Sequence, residues 1–161
     1  MDILLLFVIV GVVILIASMV RGKKVVRLSE EGKLIKRDGA YWEEKQIFEL
    51  EAPYEAVSAA VKSTDYSDCA VNITHNYDGK NAIFFKSGHG WNAALIYLGT
   101  ADMKYCYRLS FTGWRTRRGM PYNLISMNVF LTQTEKMLLS LDPETTVETH
   151  KMEIKTKSSI I

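Results

Sequence analysis

From Ile3 to Val20 the chain reads ILLLFVIVGVVILIASMV, eighteen residues without a charge. No other feature constrains the fold as tightly. Coiled as a helix at ~1.5 Å per residue, the run is ~27 Å long, close to the hydrocarbon thickness of a bilayer. In lipid each backbone N–H and C=O has to be paired inside the segment, so a single span has only the helix open to it. The competing expectation, a cleaved secretory signal, asks for a basic N-terminal region and a small-x-small cleavage site. Here Met1-Asp2 carries no basic side chain, and the run ends in Ala17-Ser18-Met19-Val20. The pattern predicts an uncleaved transmembrane anchor over residues 1–20.

Charge sets the expected orientation. Arg21, Lys23, Lys24 and Arg27 follow the run at once, and nothing basic precedes it. The positive-inside rule then puts the N-terminus outside and the rest of the chain in the cytoplasm, at the cell membrane. Cys69 and Cys106 would stay reduced there, and they form no C-x-x-C pair. The sequon Asn72-Ile73-Thr74 would matter only for a lumenal domain. Residues 21–39 hold seven basic and three acidic side chains. They read as a basic juxtamembrane linker or hairpin, turning at Glu30-Glu31-Gly32, whose cations lie against anionic headgroups.

The whole-chain apolar fraction of 48% mixes this run with a different remainder, which carries 20 basic and 17 acidic residues. That balance predicts one soluble domain over residues 40–161 and excludes disorder, collagen-like structure and a disulfide scaffold. Residues 44–51 alternate as a strand, and Pro53 opens a helix over 53–63. Strands are expected at 69–75 and 81–86 around Asp78-Gly79, then at 91–98 and 103–112. A basic loop at 115–121 precedes a strand at 122–131. Thr132-Gln133-Thr134-Glu135 then has capping-box spacing for a short helix stopped near Pro143, and 145–157 reads as a charged edge strand. The expected class is α+β: one antiparallel sheet with two short helices on one face.

The segment Ile47-Phe48-Glu49-Leu50-Glu51-Ala52-Pro53-Tyr54-Glu55-Ala56-Val57 resembles the opening of START-like, helix-grip domains, where a strand ends at Ala-Pro and a helix follows. The resemblance covers about 15 residues. It implies a sheet wrapped around an apolar cavity, closed by a long C-terminal helix, and a hydrophobic ligand or lipid as cargo. The last segment of this chain departs from that pattern, since it alternates as a strand.

Residues able to carry chemistry are few. His75, His89 and His150 are the only side chains that titrate near neutrality, and none has metal-ligand spacing to a second histidine or a cysteine. No metal or cofactor is expected. G-x-S-x-G, G-x-x-x-x-G-K-[ST] and G-x-G-x-x-G are absent from the sequence, so it points to no particular catalytic residue. His89, within Gly88-His89-Gly90-Trp91, is the candidate ligand contact. Arg115, Arg117 and Arg118, with Trp114 beside them, form the candidate anion or lipid contact, because guanidinium forks suit phosphate and carboxylate. Nucleic acid is disfavoured as the partner, given a modest positive charge and no RNA-binding motif. The leading expectation is a single-pass membrane protein whose cytoplasmic domain binds anionic headgroups or an acidic protein. The alternatives are a carrier or sensor of a hydrophobic ligand, and an enzyme with an unrecognised site around His89.

Overall fold

The computed structural model describes residues 3–76 and 80–153; the side chains of residues 3–9, 11, 15, 17, 18, 20 and 21 are outside that set. The chain divides into two units, Met1–Ile35 and Lys36–Ile161. The first unit is built on one helix, α1 (Ile3–Glu30). Among the described residues no helix is long and apolar enough to cross a membrane. The anchor expected over residues 1–20 falls largely on side chains outside the described set. The expected hairpin at 21–39 is corrected, because α1 runs through Lys23, Lys24 and Arg27 without a break. Charged side chains on adjacent turns suit a helix as well as they suit a strand, and Arg27 meets Glu31 four residues on at 3.5 Å. Gly32, at φ 64°, takes the left-handed conformation that ends the helix, and Lys33 N–H and Leu34 N–H both donate to the Leu28 carbonyl.

The second unit is α+β. Its elements are β1 (Glu44–Leu50), α2 (Tyr54–Ser63), β2 (Val71–His75), β3 (Ala82–Ser87), β4 (Trp91–Ala101), β5 (Lys104–Trp114), β6 (Thr116–Arg117), β7 (Met120–Pro121), α3 (Leu124–Leu141) and β8 (Thr146–Lys151). Six strands form one antiparallel sheet in the order β2-β3-β4-β5-β1-β8, and β6 pairs β7 as a separate two-stranded ribbon. Period-two patterning held wherever one strand face is buried: Tyr107, Leu109 and Phe111 of β5 are buried, opposite Phe48, Leu95 and Ala93 of the neighbouring strands. Met103, the first residue of the strand expected over 103–112, instead sits 92% exposed in the β4–β5 turn, where it and Asp102 both have positive φ. The expected Asp78-Gly79 turn and residues 154–157 of the last strand are outside the described residues. β8 lies at the sheet edge beside β1 and is exposed along its length.

The main correction concerns residues 122–131. They are the first half of α3, an 18-residue helix, in place of a strand followed by a short helix. Ser126 through Thr132 are all buried, so the helix has no polar face in that stretch. A helix covered on every side loses the 3.6-residue alternation that would announce it, and its β-branched and aromatic residues then read as a strand. On one side Phe130 packs against Phe85, Trp91 and Phe111 of the sheet, with ring centroids 4.8, 4.9 and 5.9 Å away. Tyr66 closes the cluster, 5.8 Å from Phe130, and its hydroxyl lies 3.1 Å from Thr134 Oγ1. Burial pushes the Tyr66 hydroxyl up to about 12.

On another side, residues 37–46 clasp α3 through polar groups. Arg37 Nη2 meets Glu135 Oε2 at 2.5 Å, Gln46 Nε2 donates to Glu135 Oε1, and Tyr41 Oη donates to the Leu124 carbonyl at 2.8 Å. These bonds let a charged residue sit in a nearly buried position on the helix. Phe130→Ala is expected to cost about 3–5 kcal/mol, because it empties the centre of a five-ring cluster. Urea unfolding followed by circular dichroism checks this, with Leu139→Ala, on the exposed side of the same helix, as the mild comparison.

Candidate functional site

β3 ends at Ser87, and the chain reverses through Gly88-His89-Gly90 into β4. Ser87 Oγ donates to the Cys69 carbonyl at 2.7 Å and accepts the His89 N–H at 3.0 Å. Gly90 has φ 84°, and a Cβ there would stand 3.2 Å from Arg115 Cδ. Only glycine meets both demands, the left-handed backbone and the close approach of an arginine stem.

The imidazole of His89 turns inward to the start of α3. Its Nδ1 lies 2.7 Å from Ser126 Oγ, and the Trp91 indole N–H donates to the same oxygen at 3.2 Å. The indole can only donate, so the hydroxyl oxygen accepts there and its own proton points to His89 Nδ1 when the ring is neutral. Asn123 stands at the N-cap of α3 without capping it; its side-chain amide donates to the His89 carbonyl at 2.7 Å. A residue type that ordinarily serves its own helix is spent here on fixing the neighbouring loop.

This Ser–His pair has the polarity of a nucleophile and its base, but Ser126 is only 7% exposed and Trp91 2%. Its hydroxyl is committed to two partners inside the fold, which makes the pair a clasp between loop and helix. Sequence reasoning missed Ser126 and Asn123 because residues 122–131 were expected to be a strand. The only local signal was Asn123 directly ahead of an apolar run, a helix-start pattern.

The arginines are anchored to the same loop. Arg115 N–H donates to the Gly90 carbonyl at 2.9 Å, and Tyr122 N–H donates to the Arg115 carbonyl at 2.9 Å. The stretch expected as a loop at 115–121 is thereby corrected to a tight ribbon, β6–β7. Arg118 and Gly119, both at positive φ, turn it, in the manner of the hairpins whose twist matches their strands. Arg115, Arg117 and Arg118 are exposed, and among the described residues none of them is in an ion pair. Beside them Met120 is 48% and Tyr122 61% exposed, and Ile125 of α3 is exposed as well. Trp114, half-buried, stands opposite Trp91 in the β4–β5 pairing, directly ahead of the ribbon in the chain.

The structure therefore brings His89 and the arginines together through Gly90, with the imidazole serving the interior and the guanidiniums the exterior. Lys23, Lys24 and Arg27 are exposed on α1, and the side chain of Arg21 lies outside the described residues. Among the described residues no group of three His, Cys, Asp or Glu side chains could hold a metal ion. Comparison of the chain with protein-family models, with curated proteins and with solved structures finds no match.

Removing the Ser126 hydroxyl leaves a buried indole N–H and an imidazole without their shared partner. Ser126→Ala is expected to lose about 1–3 kcal/mol of stability. Hydrogen exchange should show faster opening of residues 87–91 with little change at β8. Equal protection of that loop in both proteins would mean the clasp does not hold it.

Proposed function

We propose that this chain is a single-pass membrane-anchored protein whose α+β unit is a cytoplasmic binding module, and that the β6–β7 ribbon is its contact with anionic headgroups. The anchor reading is supported by eighteen uncharged residues within one continuous helical backbone, followed at once by four cations. The observation that carries the contact is the ribbon itself. It presents three arginines that are in no ion pair among the described residues, next to an exposed methionine and tyrosine, on a turn whose backbone is already fixed. Guanidinium groups reach phosphate oxygens, and the apolar tips enter the headgroup boundary.

The carrier reading has less to support it. The space under α3 that would hold a cargo is occupied by Phe85, Trp91, Phe111 and Phe130 in mutual ring contact. An enzyme built on His89 would need a hydroxyl open to substrate, and Ser126 is buried. An acidic protein is the competing partner for the ribbon.

Orientation is checked by a cysteine placed at the exposed Thr112, as Thr112→Cys in a Cys106→Ser background. A membrane-impermeant maleimide should label it only after cells are opened. Labelling of intact cells would overturn the cytoplasmic placement. The contact is checked by hydrogen exchange of the full chain in vesicles of zwitterionic or of mixed anionic lipid. Residues 115–122 should gain protection only with anionic lipid. The double variant Arg117→Gln, Arg118→Gln should lose ~2 kcal/mol of surface attraction, about thirtyfold in occupancy of the bound state. Equal exchange in the two lipids would remove headgroups as the partner and leave the acidic protein.

A further inference from the structure

Away from the ribbon, a cleft of about 560 Å³ opens between α2 and the adjoining ends of β2 and β3. Such a volume suits a small molecule. One wall is a single face of α2, where Glu55, Ser58 and Lys62 follow one another at helical spacing. The other wall is made by His75 at the end of β2 and by Lys80 and Asn81 leading into β3. Across the cleft Ser58 Oγ and His75 Nδ1 share a hydrogen bond of 2.7 Å. The floor is fixed by Tyr54, whose hydroxyl donates to the Ala82 carbonyl at 3.3 Å and accepts the Asn76 N–H at 3.2 Å.

The lining has more donors than acceptors. Lys62 and Lys80 supply two ammonium groups, neither in an ion pair among the described residues, and Asn81 supplies an amide. In the tautomer that accepts the Ser58 proton on Nδ1, the neutral imidazole of His75 carries its own proton on Nε2, which has no partner among the described residues. Among the described residues Glu55 is the single carboxylate of the lining, and it offers an acceptor to whatever hydroxyls the ligand bears. A phosphoryl group matches this set, because it brings three acceptor oxygens and a charge of about −1.5 to −2 against two lysines. A carboxylate would leave half the donors unmet.

We propose that the cleft between α2 and the β2–β3 ends is a binding site for a small phosphate-bearing ligand, held by Lys62, Lys80 and His75, with Ser58 orienting the imidazole. This site is independent of the ribbon and of the membrane reading, so either can fail alone.

Binding here is linked to a proton. Burial and the Lys62 charge hold His75 below its ordinary value of 6.5. Its neutral form is therefore favoured in the folded state, and stability falls as pH drops below 6.5 because the unfolded chain takes up the proton more readily. A phosphate between Lys62 and His75 reverses the local field and draws the proton back. Among the described residues the charged groups that line the cleft with the ring are Lys62 and Glu55 from α2 and Lys80 from the β3 side.

The test follows the ring resonances of the three histidines in the isotope-labelled full chain, in neutral detergent. The pH is titrated in chloride and in inorganic phosphate at matched ionic strength. In phosphate the His75 midpoint should rise by about half a pH unit, the signature of an anion arriving within a few ångströms. The exposed His150 reports the nonspecific effect and should stay still. In the Lys62→Gln, Lys80→Gln variant the phosphate-dependent rise of His75 should vanish. Both lysines are exposed, so their loss leaves the fold intact, which the dispersion of the amide spectrum verifies. A His75 midpoint that moves no more than His150, or a rise that survives in the double variant, overturns the proposal.

Discussion

The α+β unit is organised around one stretch of helix, residues 126–132 of α3, being buried on all sides. Residues 126–132 of α3 have no solvent face, so each side of the helix must be covered by something, and each covering element has its own chemistry. The sheet supplies aromatic rings, α2 and the turn at Ser67–Cys69 supply apolar packing, and residues 37–46 supply a salt bridge and amide contacts. Hydrophobic burial is nondirectional and would accept several arrangements of these elements. The polar bonds to Glu135, Thr134 and Ser126 narrow the choice, since each would be left unsatisfied in a rotated or shifted helix.

Legibility in the sequence followed the same physics. The strands β3, β4 and β5 and the helix α2 were readable because one face of each is buried and the other is not, or because Pro53 and the turn residues mark their ends. The first half of α3 was not readable, because uniform burial erases the period that distinguishes helix from strand. Residues 21–30 misled for the opposite reason: an alternation of valines and charges fits either state, and the neighbouring apolar run decides for helix. At the candidate site His89 and the arginines were visible as a glycine-flanked histidine and a dense basic tip. Ser126, Asn123 and the Ser58–His75 pair were invisible, since a partner 17 to 37 positions away leaves no local trace.

The loop at residues 87–90 ties the β6–β7 ribbon to the core. It is held from below by Ser87 and Cys69, from the side by Ser126 and Asn123, and it holds Arg115 in turn through the Gly90 carbonyl. The ribbon is therefore not a loose appendage. Its arginines are pre-positioned by a chain of hydrogen bonds that ends at the buried start of α3, and little ordering remains to be done when a partner arrives.

The Arg37–Glu135 bridge, described above as part of the cover of α3, also has a mechanical meaning. It sits two residues into the second unit, at the point where the chain arrives from the first. Any tension carried along the backbone from residues 21–35 reaches the fold at Arg37 before it reaches a strand. The load is met first by the Arg37–Glu135 ion pair and the Tyr41 hydroxyl bond to α3, and only then by Gln46, which already belongs to β1. A pull on residues 21–35 would thus strain the contacts of a short strap with α3 before it strains the pairing of β1.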